Sequence, residues 1–265
     1  MKYTKISQSL LKSLFNYKQG NECGLKIKAH YVNGMDFPPT DAMNLGNWFE
    51  YKATGQLPRT GEIPMPERLK NGELAIAYRK MESQLVNYQA ILDTYNIKIL
   101  ETGYTFNHEY GAGITDINAE WNGRKCIIDI KTTAKIDDKW SEYGWGDEKF
   151  EYVDSPNTQN LTIQAVQYKY LGREEWGYDP DFYFFVFSTQ DEDAVKIFKV
   201  EVDPARLEKH GEQIKSVYEY FNTIFINKTD EELALAEKKR CAQCPLKQNC
   251  KYAVEVPLIK TIQVY

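Results

Sequence analysis

The sequence predicts an α/β protein with a mixed central β-sheet flanked by helices. Segments with apolar residues at helical spacing alternate with short segments rich in β-branched and aromatic residues, which are typical of strands. An Asn-Gly pair at residues 122–123 separates two strand segments and predicts a tight hairpin. Of the 265 residues, 42% are hydrophobic and 27% are charged, so the chain can form a packed core. A single elaborated domain is the simplest interpretation.

The helices are predicted from apolar spacing and from capping residues. Ser7 is placed to cap the first, and Gly55 ends the second at a position that favours left-handed backbone. The predicted helices cover residues 7–15, 42–54, 73–95, 156–172 and 204–225, with a short helix from Asp230. The predicted strands cover residues 97–106, 181–188 and 195–202, together with the hairpin within 114–133.

The hairpin carries the chemistry-bearing residues. If residues 122 and 123 form the turn, facing residues have numbers that sum to 245, so Asp116 faces Asp129. Side chains alternate between the two faces of a strand. The apolar face holds Ile117, Ala119, Trp121, Cys126, Ile128 and Ile130, and the polar face holds Asp116, Asn118, Glu120, Lys125, Asp129 and Lys131.

Two aspartates placed opposite each other repel, and this repulsion must be compensated. Either one carboxyl is protonated, or a hard divalent cation lies between them. Lys131 lies two residues beyond Asp129 on the same face, which suits metal-dependent hydrolysis of a phosphodiester. The alternative is an ordinary hairpin whose outer face is polar and exposed.

These residues belong to a longer ordered pattern. A Gly-x-x-Asp strand, an Asp-x-Lys strand and a helix bearing Gln-x-x-x-Tyr follow one another in the chain. The matching residues are Gly113, Asp116, Asp129, Lys131, Gln164 and Tyr168. The pattern resembles the PD-(D/E)xK nuclease superfamily, and within it the RecB-like exonuclease branch.

The resemblance implies a restriction-endonuclease-like core and a set of catalytic roles. Asp116 and Asp129 would bind one or two Mg²⁺ or Mn²⁺ ions, with the Ile130 carbonyl as a further ligand. Lys131 would support the attacking water. The Gln-x-x-x-Tyr pair, Gln164 and Tyr168, would position the DNA or the lysine.

A further metal ligand is expected upstream. In the branch, a glycine is followed four residues later by a metal-binding histidine, whereas here Gly46 is followed by Glu50. Glutamate at this position is similar to phage recombination exonucleases of the same superfamily. A third carboxylate favours hard ions such as Mg²⁺ or Mn²⁺. The alternative for Glu50 is a solvated helix residue.

Three of the five cysteines, Cys241, Cys244 and Cys250, lie within ten residues of one another. Three thiolates are one short of the usual four-ligand set, and Cys23 could supply the fourth. The pattern is similar to iron–sulfur members of the branch, including AddB-like nucleases, which implies a [4Fe–4S] cluster joining the N- and C-terminal segments. A structural Zn²⁺ site and free thiols are the alternatives. Cys126 is assigned to the apolar hairpin face.

Charge and composition limit the partners. With 33 basic and 38 acidic residues the net charge is −5, which excludes a uniformly basic coat but not a local basic groove. Trp140 and Trp145 could stack on single-stranded bases. The apolar stretches are too short and interrupted for a membrane span or a secretory signal, and the cysteines do not form a disulfide framework. A cytoplasmic protein with no membrane partner is expected.

Together the pattern and the resemblance imply a metal-dependent DNA exonuclease acting on linear DNA with a free end. Recombination or repair in a phage or mobile element, with a recombination partner protein, is the implied setting. The alternatives are a structure-selective endonuclease and a non-catalytic DNA-binding subunit. The expected single nuclease domain, 1–265, comprises an N-terminal helical segment (1–72), a nuclease core (73–202) and C-terminal helices with the cysteines (203–265).

Overall fold

The computed structural model describes residues 4–58, 61–140, 156–234, 241 and 244–253. The chain divides into two compact units, one comprising Met1–Pro38 and Ser216–Tyr265, the other Pro39–Lys215. The second predicted helix, 42–54, belongs to the second unit, where it packs with the sheet. No described helix is long and apolar enough to cross a membrane.

The first unit is helical. It contains α1 (Gln8–Lys18), α2 (Gly24–Tyr31), the end of α7 (Pro204–Glu219), a π-helical turn (Tyr220–Ile224), a 3-10 turn (Phe225–Asn227) and α8 (Asp230–Leu233). Ser7 caps α1 by accepting a hydrogen bond from the Leu10 N–H at 3.2 Å, as predicted. The sequence did not predict α2, which begins at Gly24 and lacks a side-chain cap.

The second unit contains the sheet. Its strands are β1 (Lys98–Thr102), β4 (Ile117–Trp121), β5 (Arg124–Thr133), β6 (Asp181–Ser188) and β7 (Val195–Lys199), while β2 (Thr105–Asn107) and β3 (Ala112–Ile114) form a separate pair. The sheet order is β1-β4-β5-β6-β7. Only β5 and β6 pair in parallel, so the five-stranded sheet is mixed, as predicted.

The hairpin has the predicted register. Ile117 pairs with Ile128 and Trp121 with Arg124, and each pair sums to 245. Asn122 and Gly123 both adopt left-handed backbone, with φ of 51° and 73°, as a two-residue hairpin turn requires. Because the register is the predicted one, the residues of β4 and β5 are divided between the two faces of the hairpin as predicted.

Helices cover both faces of the sheet. On the apolar face, α3 (Asp41–Thr54) and α4 (Ile76–Thr94) form the main core with the sheet. This core includes Trp48, Phe49, Met81, Ile117, Ile128, Ile130 and Phe187. On the opposite face, α6 (Pro156–Trp176) brings Tyr168 onto Phe182, whose ring centroid is 6.2 Å away. On the polar hairpin face, Asn118 and Asp129 are buried, whereas Glu120 and Lys125 near the turn are exposed.

Two sequence-based expectations, one for Gly172 and one for Trp140, differ from the structure. The helix passes through Gly172 and ends at Trp176, followed by Gly177 with φ of 72°. A Cβ at residue 172 would lie 2.9 Å from Pro180 Cγ, so this glycine serves close packing and not helix termination. Trp140, after the short helix α5 (Ile136–Lys139), is 5% exposed and packs on Phe184, which removes it as a base-stacking surface. Trp145 lies outside the described residues.

Candidate active site

Asp129 is the centre of the candidate site. It lies in the middle of the central strand β5 and is 1% exposed. One carboxylate oxygen accepts a hydrogen bond from the Lys131 ammonium, and the other accepts one from the Gln164 side-chain amide. The ammonium also donates to the Ile130 carbonyl at 3.3 Å. The fold therefore brings together residues from β5 and α6 that are 35 positions apart.

Asp116 is close to this centre, but it is not a ladder partner of Asp129. The β4–β5 pairing stops at Ile117, and Asp116 lies immediately before it. Its Oδ2 accepts a hydrogen bond from the Ile130 backbone N–H at 2.7 Å. The expected face-to-face placement is thus replaced by a carboxylate that occupies the place of a backbone acceptor at the end of the ladder.

Glu50 reaches the same charge environment from α3. A Cβ at Gly46 would lie only 3.2 Å from Thr132 Oγ1, so this glycine allows α3 to pass close to β5. Glu50 lies about one helical turn further along. It interacts electrostatically with Asp129 and Lys131. Its role as a metal ligand stays a prediction.

The site carries more negative than positive charge. Burial raises the pKa of Asp116 well above its ordinary value, and the charges of Asp129 and Glu50 raise it further. Burial and the charge of Asp129 also raise the pKa of Glu50. Burial lowers the pKa of Lys131, but the three acids outweigh it, so the lysine remains protonated. One ammonium does not balance three carboxylates, and an added cation would stabilise the group.

The donor set fits a hard divalent ion in its chemistry. It offers three carboxylates, with the Ile130 carbonyl beside them, and such oxygens are the ligands that Mg²⁺ and Mn²⁺ prefer. Within the described residues, however, no three His, Cys, Asp or Glu side chains are arranged so that they could hold a metal ion as they stand. Binding one ion by all three carboxylates therefore requires the acids to move closer together.

Tyr168 contacts and stabilises β3, the strand that precedes Asp116. Its hydroxyl donates to the Ile114 carbonyl at 2.8 Å. Its ring lies so close to Gly113 that a Cβ there would be 2.5 Å from Tyr168 Cε1. The close Tyr168 ring thus explains why the first position of the Gly-x-x-Asp pattern is a glycine. Sequence reasoning did not assign Ile114 a role, because a backbone acceptor leaves no residue-type signal.

Substitution Gly113→Ala should destabilise the protein by about 1–3 kcal/mol, because the new methyl group overlaps the Tyr168 ring. In a Tyr168→Ala background the same change should cost little, since the obstructing ring is absent. Urea unfolding of the wild type, the two single variants and the double variant measures this coupling. Equal costs in both backgrounds would show that the Gly113–Tyr168 contact does not explain the glycine.

The four predicted cluster cysteines line one cavity of about 530 Å³ in the first unit. They are Cys23, Cys241, Cys244 and Cys250, and none is in a disulfide. Burial raises the pKa of the Cys244 thiol, and the other three cysteines contribute in the same direction. As with the acids, no three of these described thiols are arranged to hold a metal ion as they stand. Cys126 is 1% exposed on the apolar hairpin face, as predicted.

Similarity to known proteins lies in the fold. No protein-family model matches the chain, and no curated protein matches it. A crystal structure from Eubacterium rectale, named "Putative exonuclease", aligns with a TM-score of 0.63 at 17% identity, covering 98% of this chain and 91% of that one. A second structure, SSO0001, aligns at 12% identity over 96% and 89% of the two chains, with a TM-score of 0.34, which is too low to show a common fold. The chain thus shares the fold of the first protein.

Proposed function

We propose that the chain is a divalent-metal-dependent DNA exonuclease of the PD-(D/E)xK superfamily, in its RecB-like branch. The observation that carries the proposal is Asp129, buried between Lys131 and Gln164 and coupled in charge to Asp116 and Glu50. The fold shared with the Eubacterium rectale protein supports it. Cleavage of linear DNA in recombination or repair, in a phage or mobile element with a partner protein, is the setting that the sequence pattern favours.

The residues have distinct roles in this proposal. Asp116, Asp129 and Glu50, with the Ile130 carbonyl, would hold Mg²⁺ or Mn²⁺, which when bound neutralises phosphate charge and lowers the pKa of a water. Lys131 stays charged beside the acids and orients the attacking water against the scissile phosphate.

Two residues of α6 act on the carboxylates and not on the DNA. Gln164 fixes the Asp129 carboxylate through its amide hydrogen bond. Tyr168 fixes the Gly113–Ile114 segment, and through it the approach of the chain to Asp116. Both are positioning residues, so their replacement should reduce activity less than replacement of Asp129.

Linear and circular DNA separate the proposal from its rivals. Wild-type protein with Mg²⁺ should release nucleotides from an end-labelled linear strand and leave a circular single strand of the same sequence intact. Efficient cutting of the circle would favour a structure-selective endonuclease. No cutting of either DNA, with binding retained, would favour a non-catalytic DNA-binding subunit. An Asp129→Asn sample provides the matched inactive control.

We also propose that Cys23, Cys241, Cys244 and Cys250 bind a structural [4Fe–4S] cluster. They line one cavity, and thiolates are the ligands that iron–sulfur clusters take. Zinc is the second candidate, because four thiolates also suit a closed Zn²⁺ site.

Anaerobic purification should yield a brown protein with iron and sulfide bound, and Cys244→Ser should abolish both the colour and the bound iron. Cys126→Ala provides the matched control, since Cys126 is buried in the core of the other unit. Metal analysis and the visible spectrum decide the outcome. A colourless wild type with stoichiometric zinc would replace the cluster with the zinc site, and a metal-free wild type would contradict both.

A further inference from the structure

Asn118 lies on the strand face that carries Asp129. It pairs with Ile127 across the hairpin, and residues paired in an antiparallel ladder share a face. Ile127 and Asp129 are two residues apart on β5, so they share that face as well. Asn118 and Asp129 are therefore diagonal neighbours, whose Cβ atoms are typically about 7 Å apart.

The side-chain oxygen of Asn118 is buried without a hydrogen-bond partner among the described residues. The residue is 7% exposed, and within the described part of the chain its Oδ1 accepts no hydrogen bond. An unsatisfied buried acceptor costs about 1–3 kcal/mol, so it needs an explanation such as a bound water or ion. Asn118 Oδ1 shares this condition with Gln8 Oε1, Gln56 Oε1 and the Tyr88 hydroxyl, but Asn118 alone of these four is on β4 or β5.

The neighbouring strand is irregular at the same place. Ile99 pairs with Ala119 and Glu101 with Asn118, so Leu100 is an extra residue in β1. Such bulges are common next to functional sites, where they redirect side chains. The irregularity and the unpartnered Asn118 oxygen thus coincide beside the candidate carboxylates.

We propose that Asn118 is a positioning residue of the metal site, and that its Oδ1 accepts a hydrogen bond from a water in the shell of the divalent ion. This inference rests on the proposed function, because it requires the acids to bind Mg²⁺ or Mn²⁺. An amide oxygen is a neutral hard acceptor, so it can hold such a water without adding to the excess negative charge. Outer-shell partners of this kind commonly contribute 10–100-fold to metal affinity.

The test is Mn²⁺ affinity, measured by electron paramagnetic resonance on the intact protein. Asn118→Leu keeps the number and branching of the side-chain heavy atoms but has no acceptor, and should weaken Mn²⁺ binding about tenfold. Its metal-free melting temperature should equal or exceed that of the wild type, since an unsatisfied group is removed. Asn118→Asp adds a carboxylate and should tighten Mn²⁺ binding, which keeps the test open if the leucine variant does not fold.

Tyr88→Phe is the matched control. It removes another buried, unpartnered polar atom, on α4 and against the opposite face of the sheet, and should leave Mn²⁺ affinity unchanged. Unchanged affinity in Asn118→Leu, or in Asn118→Asp where the leucine variant is unfolded, would overturn the role of Asn118 while leaving the proposed function intact. A wild type that binds no Mn²⁺ would overturn the proposed function and this inference together.

Discussion

Substitution Lys131→Met should lower the rate of DNA hydrolysis by about a thousandfold, because it removes the ammonium to which the proposed function assigns the orientation of the attacking water. The methionine keeps the length and the apolar stem of the side chain. In the metal-free protein the three acids would lose their compensating charge, so the variant should also be less stable until Mg²⁺ is added. Single-turnover hydrolysis of end-labelled linear DNA measures the first effect.

Lys125→Met is the control for this substitution. Lys125 lies on the same strand as Lys131, and its replacement by methionine removes the same charge. Its ammonium, however, lies over the Tyr178 ring, 5.2 Å from the ring centroid. Activity of this variant should stay within about twofold of the wild type, as expected for a surface substitution. Equal losses in both variants would show that general charge, and not the position of Lys131, matters.

The second large effect is expected for Asp116→Asn, which should strongly reduce hydrolysis and yet stabilise the metal-free protein. The amide can still accept the hydrogen bond from the Ile130 N–H through its oxygen. It carries no charge, so the repulsion from Asp129 and Glu50 is relieved. The loss of hydrolysis should be on the order of a thousandfold.

The gain in stability should depend on pH. The pKa of Asp116 in the folded protein lies above its unfolded value, so ionisation of this group weakens folding as pH rises through the folded pKa. The wild type and the variant should therefore have similar stabilities in acid, and the variant should become the more stable one towards pH 8. Urea unfolding across that range, without metal, measures the difference.

Added Mn²⁺ should reverse this order. A ligand at one hundred times its Kd stabilises the folded state by about 2.7 kcal/mol, and only the wild type retains all three carboxylates. Glu120→Gln, an exposed acid on β4, is the control and should follow the wild type throughout. An Asp116→Asn variant that is less stable than the wild type at every pH without metal would contradict the charge argument.

The hairpin could be predicted in register because a two-residue Asn-Gly turn leaves one pairing that buries its apolar face. Ile117 and Ile128 confirm it. The positions of the polar side chains could be predicted less well. Asp116 lies beyond the ladder, where its carboxylate accepts a hydrogen bond from the Ile130 backbone N–H. The turn residues determine how the two adjoining strands pair. The end of the ladder depends on neighbouring segments, as at Gly103, whose N–H donates to the Asp116 carbonyl.

Glycines illustrate the same limit. Gly55 ends α3 with φ of 75°, as predicted from its position after an apolar helix. Gly172 does not end α6, because its role is a close approach to Pro180 that only the folded chain reveals. The contact of Gln164 with Asp129 could likewise not be derived from spacing. The family resemblance implied only that Gln164 belongs to the site and positions the DNA or the lysine.

The most direct test of the account is single-turnover hydrolysis of end-labelled linear DNA by the wild type and by Asp129→Asn, each with Mg²⁺ and with EDTA. The wild type should release the label in Mg²⁺, and the other three samples should not. Label release that persists in EDTA, or that Asp129→Asn retains in full, would contradict a nuclease centre built on the acids around Asp129.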